Sequence, residues 1–138
     1  MKREVWHMII LSIQEYDGLS EFELFLNKVS GKLAASICKK FHAYTELNDI
    51  YSCNSLKILK PKIWGYKGTI YKLRVDCGKE SARVLFVKMA NDNIVLLHGF
   101  VKKTRKTPSK DAKIAMANLE RLKNNVEVTE LPLTKYSF

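Results

Sequence analysis

The segment Ile94-Val-Leu-Leu-His-Gly-Phe-Val-Lys-Lys-Thr-Arg-Lys-Thr-Pro108 joins a strongly apolar run to a dense basic cluster within a few residues. Its first part, Ile94 to Leu97, predicts a central buried strand, and Gly99 lets the backbone deviate after it. Its second part holds four cations that repel one another, namely Lys102, Lys103, Arg105 and Lys106. A polyanion bound among them would relieve that repulsion. The segment therefore predicts both the central strand of the fold and a loop that meets phosphate.

The positive charge of the chain is confined to one region. The chain has 138 residues and a formal net charge of +10. Residues 1–56 hold six Lys or Arg against seven Asp or Glu, whereas residues 57–123 hold seventeen against five, a net +12. A localised basic face in a small domain indicates nucleic acid as the partner before an anionic membrane surface. No segment predicts a basic amphipathic helix of the membrane-binding kind, so no membrane partner is expected.

Targeting, disulfide and metal signals are absent from the sequence. The apolar run Met8 to Leu11 is too short for the core of a signal peptide, and no apolar stretch has the length of a transmembrane helix. Cys38, Cys53 and Cys77 are odd in number and have no C-x-x-C or His-paired spacing. We therefore expect no disulfide framework, no metal site and no cofactor, in a reduced, cytoplasmic protein.

Hydrophobic periodicity predicts seven elements in the order strand, helix, helix, strand, strand, strand, helix. They are a strand within Glu4 to Gln14, a helix capped by Ser20 and Glu23, a second helix from the Ser30-Gly31 break to about Leu47, strands at Thr69 to Val75, Ser81 to Met89 and Ile94 to Val101, and a helix at Lys110 to Lys123. The polar segment Asn48 to Pro61 predicts a connection. Short turns between the last three strands predict an antiparallel meander.

These elements predict an α+β fold with one compact domain over residues 1–123. The expected sheet is dominated by antiparallel pairing and has about four strands, with a helix pair from the N-terminal part and a further helix from the C-terminal part. Residues 124–138 are expected to form a tail, either as an edge strand or without order.

Strand alternation places several cations on one face of this sheet. Lys72 and Arg74 share a face with Ile70, because successive side chains of a strand point in opposite directions. Arg83 on the next strand faces them if the two strands align in the natural register. The alternation therefore predicts a basic groove, although a solvated polar face of an antiparallel sheet is the alternative.

The same strands resemble a known family. The strings Ile70-Tyr-Lys-Leu-Arg74, Ala82-Arg-Val-Leu-Phe86 and Leu96-Leu-His-Gly-Phe-Val-Lys-Lys-Thr-Arg-Lys-Thr-Pro108 look like the RelE/ParE superfamily of toxins, in its HigB-like, often phage-derived branch. The resemblance covers roughly Val5 to Lys123 and implies a RelE-like fold. It also implies a ribosome-dependent, metal-free endoribonuclease (an mRNA interferase) that cuts messenger RNA on the ribosome. Such toxins are held inactive by a cognate antitoxin, usually encoded adjacently, and we expect a small helix-turn-helix protein there.

The chemistry of RNA cleavage fits three of the basic residues. The ribose 2′-hydroxyl must lose a proton, the charge on the phosphorane must be stabilised, and the leaving oxygen must gain a proton. Arg74 and Arg83 are charged forks suited to phosphate oxygens, and Lys72 lies among cations that lower a lysine pKa and make it a proton carrier. Family members place basic residues at the matching positions, so Lys72, Arg74 and Arg83 are the expected catalytic residues. Several better-studied members place a tyrosine or a second arginine in the last helix or just beyond it. The helix Lys110 to Lys123 has no tyrosine, so the general acid stays unidentified.

The remaining candidates are expected to contact RNA without doing chemistry. The loop cations expected to grip phosphates are Lys102, Lys103, Arg105 and Lys106. Phe100 either stacks on a flipped-out base or belongs to the core. His98 is a general-base candidate by residue type, since imidazole titrates near neutrality, but its place at the end of an apolar strand favours a packing role.

Two other classes of function stay open at this point. A ParE-like protein has the same fold but binds DNA gyrase, and its sheet typically lacks a clustered set of catalytic cations, which argues against that class here. A non-catalytic basic module that binds nucleic acid fits the charge distribution equally well.

Overall fold

A computed structural model of the chain describes residues 8–15, 18–47, 49–51, 53–60, 65, 67–103 and 107–136. Within these ranges the chain forms three α-helices and six strands, so the α+β class is confirmed. The strands are β1 (Ile10–Ile13), β2 (Leu56–Leu59), β3 (Ile70–Cys77), β4 (Glu80–Lys88), β5 (Ile94–Val101) and β6 (Val128–Glu130). The helices are α1 (Glu21–Lys28), α2 (Gly31–Leu47) and α3 (Ser109–Lys123).

All six strands belong to one mixed sheet with the order β2-β3-β4-β5-β1-β6. The predicted meander of β3, β4 and β5 is confirmed, since these strands pair antiparallel in sequence order. The expected number of about four strands is wrong, because two further strands, β2 and β6, extend the sheet at its two ends. The sheet is mixed, since β1 pairs parallel with β5 whereas the other pairings are antiparallel. Strands of four and three residues are too short to show periodicity in the sequence, and β2 lies within a segment that was expected to be a connection.

The two N-terminal helices begin at hydroxyl caps. The backbone N–H of Glu23 donates to Ser20 Oγ at 3.3 Å, as the capping box predicts. The N–H of Leu33 donates to Ser30 Oγ at 3.1 Å, so Ser30 caps α2 immediately after α1 has ended. The helix pair therefore forms where the sequence predicts it. Of the expected first strand, residues 10–13 form β1, and residues 1–7 lie outside the described residues.

The sheet has a hydrophobic core on each face. Leu73 and Val75 of β3 point toward α1 and α2, and Ile70 points to the opposite face, toward α3. The larger core on the helix-pair side includes Phe22, Leu26, Leu33, Ile37, Phe41, Leu73, Val75, Val84, Phe86 and Leu96. The core under α3 includes Ile70, Leu85, Val87, Val95, Leu97, Phe100, Ala112, Ala115 and Leu119. Because side chains alternate along β3, Lys72 and Arg74 lie on the same face of the sheet as Ile70, beyond the part of that face where α3 packs.

Gly99 allows a close approach of α1 rather than a deviation of the backbone. A Cβ at this position would lie 2.6 Å from two ring carbons of Phe25 and 2.9 Å from one of Phe22. The register shift between β4 and β5 leaves the extra residue at Leu97 of β5, between the pairs Leu85–His98 and Phe86–Leu96, whereas Gly99 itself pairs with Val84. The expected reason for this glycine was therefore wrong, because the missing side chain, not an unusual backbone, is what the packing requires.

The segment after α3 contributes β6, which pairs antiparallel with β1. Leu131, just beyond it, is buried in the core on the helix-pair side. Within the part of the chain that the structure describes, none of the helices combines the length and the apolar character needed to cross a membrane.

Candidate functional site

A cleft of about 250 Å³ lies where β2, β3 and β4 extend past the core under α3. We call it the basic cleft, and its described lining residues are Asn54, Ser55, Lys57, Lys72, Arg74, Asp76, Arg83 and Lys102. Five of them are cations and one is a carboxylate. An open groove of about 510 Å³ beside β6 is larger, but its described titratable lining groups are His42, Glu46 and Glu130, which do not suit a polyanion. The basic cleft is therefore the candidate site.

Sheet register brings the cations of the basic cleft together. Arg74 lies directly opposite Arg83, as the sequence analysis expected for aligned strands. Lys57 of β2 lies directly opposite Lys72. Side chains at directly paired positions point to the same face, so these two pairs place four positive charges side by side. Burial and the charge of Arg74 both lower the pKa of Arg83, which is the expected effect of crowding like charges.

A hydrogen-bonded chain runs between the two arginines. Arg74 Nε donates to Asp76 Oδ2 at 2.8 Å, and Ser81 Oγ donates to Asp76 Oδ1 at 2.6 Å. Arg83 Nη1 donates in turn to Ser81 Oγ at 2.7 Å and to the carbonyl of Ala82 at 3.0 Å. The hydrogen bond from Ser81, with the hydrogen bond and charge of Arg74, outweighs the effect of partial burial and lowers the pKa of Asp76. Asp76 is therefore a carboxylate that stays ionised inside a cationic site.

Two lysines that line the cleft, Lys72 and Lys102, have lowered pKa values, and Lys72 is the more buried of the two. Its Nζ donates to Thr107 Oγ1 at 3.0 Å, which ties β3 to the residues that precede α3. Burial contributes most to a lowered pKa of Lys72, followed by the charges of Lys102, Arg83 and Lys57. The effect of neighbouring cations was expected from the sequence, and burial is the larger cause of the lowered pKa. A lysine with a lowered pKa is more readily neutral, so it is better able to accept a proton.

His98 lies outside the lining of the basic cleft. Its Nε2 is 2.7 Å from Asp111 Oδ1 on α3, and its Nδ1 is 3.9 Å from Glu21 Oε1 on α1. Burial alone would lower the pKa of His98, but the hydrogen bonds and charges of Glu21 and Asp111 outweigh it and raise the pKa. When its imidazole is protonated, His98 therefore links α1 and α3 to β5 through ion pairs with two carboxylates.

The other predicted RNA contacts fall in different places. Lys102 lines the basic cleft, whereas Lys103 is exposed and is not among its lining residues. Phe100 is 6% exposed and belongs to the core under α3, so the structure places it in the core rather than on a surface where a base could stack. Arg105 and Lys106 lie outside the described residues.

Six residues at the site were missed by sequence reasoning, namely Asn54, Ser55, Lys57, Asp76, Ser81 and Thr107. Lys57 was missed because its strand was expected to be a connection. Asp76 continues the alternation of Lys72 and Arg74, but the strand that carries them was expected to end at Val75, so Asp76 was expected to lie in the following turn. Ser81 was expected to begin the next strand, without a role in the site. No local pattern marks Thr107, whose role depends on a strand 35 residues earlier.

The chain matches the model of one protein family over residues 25–120, a range that contains every described residue of the basic cleft. That family is described as phage-derived protein Gp49-like (DUF891). Because the match covers more than half of the chain, the chain belongs to the Gp49-like family, which is a RelE/toxin-like family. No curated protein matches the chain.

Proposed function

We propose that this protein is the toxin of a type II toxin–antitoxin system, of the HigB-like branch, and that it is a ribosome-dependent endoribonuclease acting on messenger RNA. The observation that carries the proposal is the convergence of Lys72, Arg74 and Arg83 on one cleft, with Lys57 and Lys102 beside them. Membership of a RelE/toxin-like family supports the class of toxin. The expected site of action is the cytoplasm, because ribosomes translate messages there.

The proposed reaction uses the ribose of the RNA as its own nucleophile. The 2′-oxygen forms a bond to the neighbouring phosphorus, the bond from phosphorus to the 5′-oxygen breaks, and the leaving oxygen takes up a proton. Lys72, whose pKa is lowered, is the candidate for accepting the proton of the 2′-hydroxyl. Arg74 and Arg83 lie directly opposite each other, where both can donate to oxygens of the phosphorane. The group that protonates the leaving oxygen is not assigned.

An expression experiment separates this function from its two alternatives. Induced synthesis of the wild-type protein without an antitoxin should arrest growth, with protein synthesis falling before DNA synthesis and with cleaved messages. Arg83→Ala should abolish the arrest at equal expression. Lys113→Ala should retain the arrest, because it removes one exposed cation from α3 outside the lining of the cleft. Early replication arrest with intact messages would instead identify a gyrase inhibitor, and normal growth at good expression of the wild-type protein would contradict both toxin functions.

The proposed partner is an antitoxin encoded adjacently, expected to be a small helix-turn-helix protein. Its contacting segment should combine acidic residues with apolar anchors, because it must neutralise residues 57–123, with their net charge of +12. The dissociation constant of the complex should then rise with salt concentration. The measurement is titration of the purified pair at several ionic strengths, with Lys57→Ala as the variant that should lower the salt dependence. A complex whose affinity ignores ionic strength would contradict this proposal.

A further inference from the structure

Asp76 stands out because it is the one carboxylate among the described residues that line the basic cleft. A negative charge at this place opposes the binding of a phosphate, so its presence in a phosphate-binding site requires a reason. Each of its two oxygens accepts a hydrogen bond, one from Arg74 Nε at 2.8 Å and one from Ser81 Oγ at 2.6 Å. The lowered pKa of Asp76 means that it keeps its charge at neutral pH.

The sheet register explains how one carboxylate reaches both arginines. Arg74 and Arg83 form one directly opposed pair of β3 and β4, and Asp76 and Ser81 form the directly opposed pair on the same face two residues further along. Ser81 donates to Asp76 and accepts from Arg83 Nη1 at 2.7 Å, so its hydroxyl connects the carboxylate to the second arginine; we call this connection the relay. These hydrogen bonds connect two long side chains whose positive charges repel each other.

We propose that Asp76 and Ser81 are positioning residues, which hold the guanidinium groups of Arg74 and Arg83 in the orientation needed to face one phosphate together. Donors that are already oriented stabilise a transition state more effectively than donors that must first be ordered. The negative charge of Asp76 therefore weakens phosphate binding but increases the rate of the step in which the phosphorane forms. This catalytic part of the inference rests on the proposed endoribonuclease function.

The inference predicts effects of opposite sign on binding and on cleavage. Asp76→Asn should leave the dissociation constant for the ribosome–message complex unchanged or lower, since the cleft becomes more positive. The single-turnover cleavage rate at saturation should fall about 10-fold or more, as loss of positioning does. Glu120→Gln, the control, makes the same charge change at an exposed position of α3 and should change neither quantity. If Asp76→Asn raises both affinity and rate, or leaves the rate unaltered, Asp76 only tunes the charge of the cleft and the proposal is overturned.

Ser81→Ala provides a second variant that keeps the charge of the cleft. It removes the relay to Arg83 but leaves the ion pair of Arg74 with Asp76 in place. Its cleavage rate should fall by several-fold with unchanged affinity. An unchanged rate would show that the relay has no role in orientation. Thermal unfolding of both variants, compared with the wild type, identifies any loss of rate that comes from loss of the fold.

A measurement without any RNA keeps the inference separate from the proposed function. The Nε–Hε groups of Arg74 and Arg83 can be followed by NMR relaxation in the free protein, where both should be ordered in the wild type. Ser81→Ala should increase the mobility of Arg83 alone, which keeps its hydrogen bond to the Ala82 carbonyl. Asp76→Asn should increase the mobility of both arginines, and of Arg74 more, because Arg74 loses its ion pair whereas Arg83 still donates to Ser81. Arginines that stay equally ordered in both variants would overturn the inference even if the protein cleaves RNA. If the wild type cleaves no RNA, the proposed function fails, and the NMR result still decides whether Asp76 and Ser81 position the arginines.

Discussion

Gly99→Ala tests whether the packing of α1 against β5 requires a residue without a side chain. The added Cβ would lie 2.6 Å from two ring carbons of Phe25, about 1 Å closer than ordinary van der Waals contact. It would also lie 2.9 Å from a ring carbon of Phe22, which is only 1% exposed and belongs to the core on the helix-pair side. Phe25 is only partly buried, so it can yield to some extent. We expect a loss of about 1 to 3 kcal/mol in the free energy of unfolding, which corresponds to a fall in Tm of roughly 3 to 12 °C.

The assay is urea denaturation, in which the midpoint should fall and the slope should stay the same. Gly31→Ala is the matched control, since nothing lies within 4 Å of its new Cβ and the position begins α2. That variant should be as stable as the wild type or slightly more stable. Phe25→Leu in the Gly99→Ala background should recover part of the lost stability, because it removes the ring that the new methyl meets. A Gly99→Ala protein with wild-type stability would refute this account of the glycine.

The remaining predictions concern His98 and Lys72, whose pKa values are perturbed and whose side chains connect separate elements of the fold. The pKa of His98 is raised in the folded state. Its ion pairs therefore stabilise the protein fully when the pH is below the pKa of histidine in the unfolded chain, about 6.5. This contribution is lost as the pH rises through the pKa of His98 in the folded state. The free energy of unfolding should therefore fall as pH rises across that window, and Asp111→Asn should make the dependence shallower; a profile unchanged by Asp111→Asn would contradict the assignment. The pKa of Lys72, followed by NMR titration of its side chain, should lie below the ordinary lysine value and should move upward in Lys57→Ala, which removes one of the charges that lower it. An unshifted Lys72, or no response to Lys57→Ala, would remove the argument that it carries a proton.

Long periodic segments allowed most of the fold to be predicted from the sequence. The helix pair, the meander of β3 to β5 and α3 each extend over enough residues for the spacing of apolar side chains to distinguish helix from strand. Alternation within β3 also placed Lys72 and Arg74 on one face, and the register placed Arg83 opposite Arg74. The central cations of the site were predictable because alternation and pairing are local properties of neighbouring strands.

The parts that were missed depend on contacts between distant segments. β2 and β6 are short and become strands only because β3 and β1 offer pairing partners. The parallel pairing of β1 with β5 joins residues that are 84 positions apart, as the hydrogen bond from the Ile9 N–H to Asn93 also shows. No local pattern predicts such a pairing, and the sheet was therefore expected to be smaller, with about four strands and mainly antiparallel pairing.

The same limit applies to individual side chains. The role of Gly99 depends on how closely α1 approaches β5, and the environment of His98 depends on carboxylates from two helices. The relay from Asp76 through Ser81 depends on the register of β3 and β4 continuing beyond the predicted end of the strand. Sequence reasoning identified residue types suited to phosphate, whereas the structure supplies the hydrogen bonds that orient them.

Single-turnover cleavage of ribosome-bound message by Arg83→Ala and Lys103→Ala tests the central claim most directly. Arg83 lines the basic cleft and Lys103 is an exposed cation outside its lining, so the two variants lose the same charge at different places. Arg83→Ala should lower the saturated cleavage rate by on the order of 10²-fold with a much smaller change in ribosome affinity. Lys103→Ala should keep the saturated rate, weaken binding and reduce the salt dependence by about one phosphate contact. Equal losses of affinity in the two variants, with unchanged saturated rates, would show that the cleft binds RNA without cleaving it and would contradict the claim.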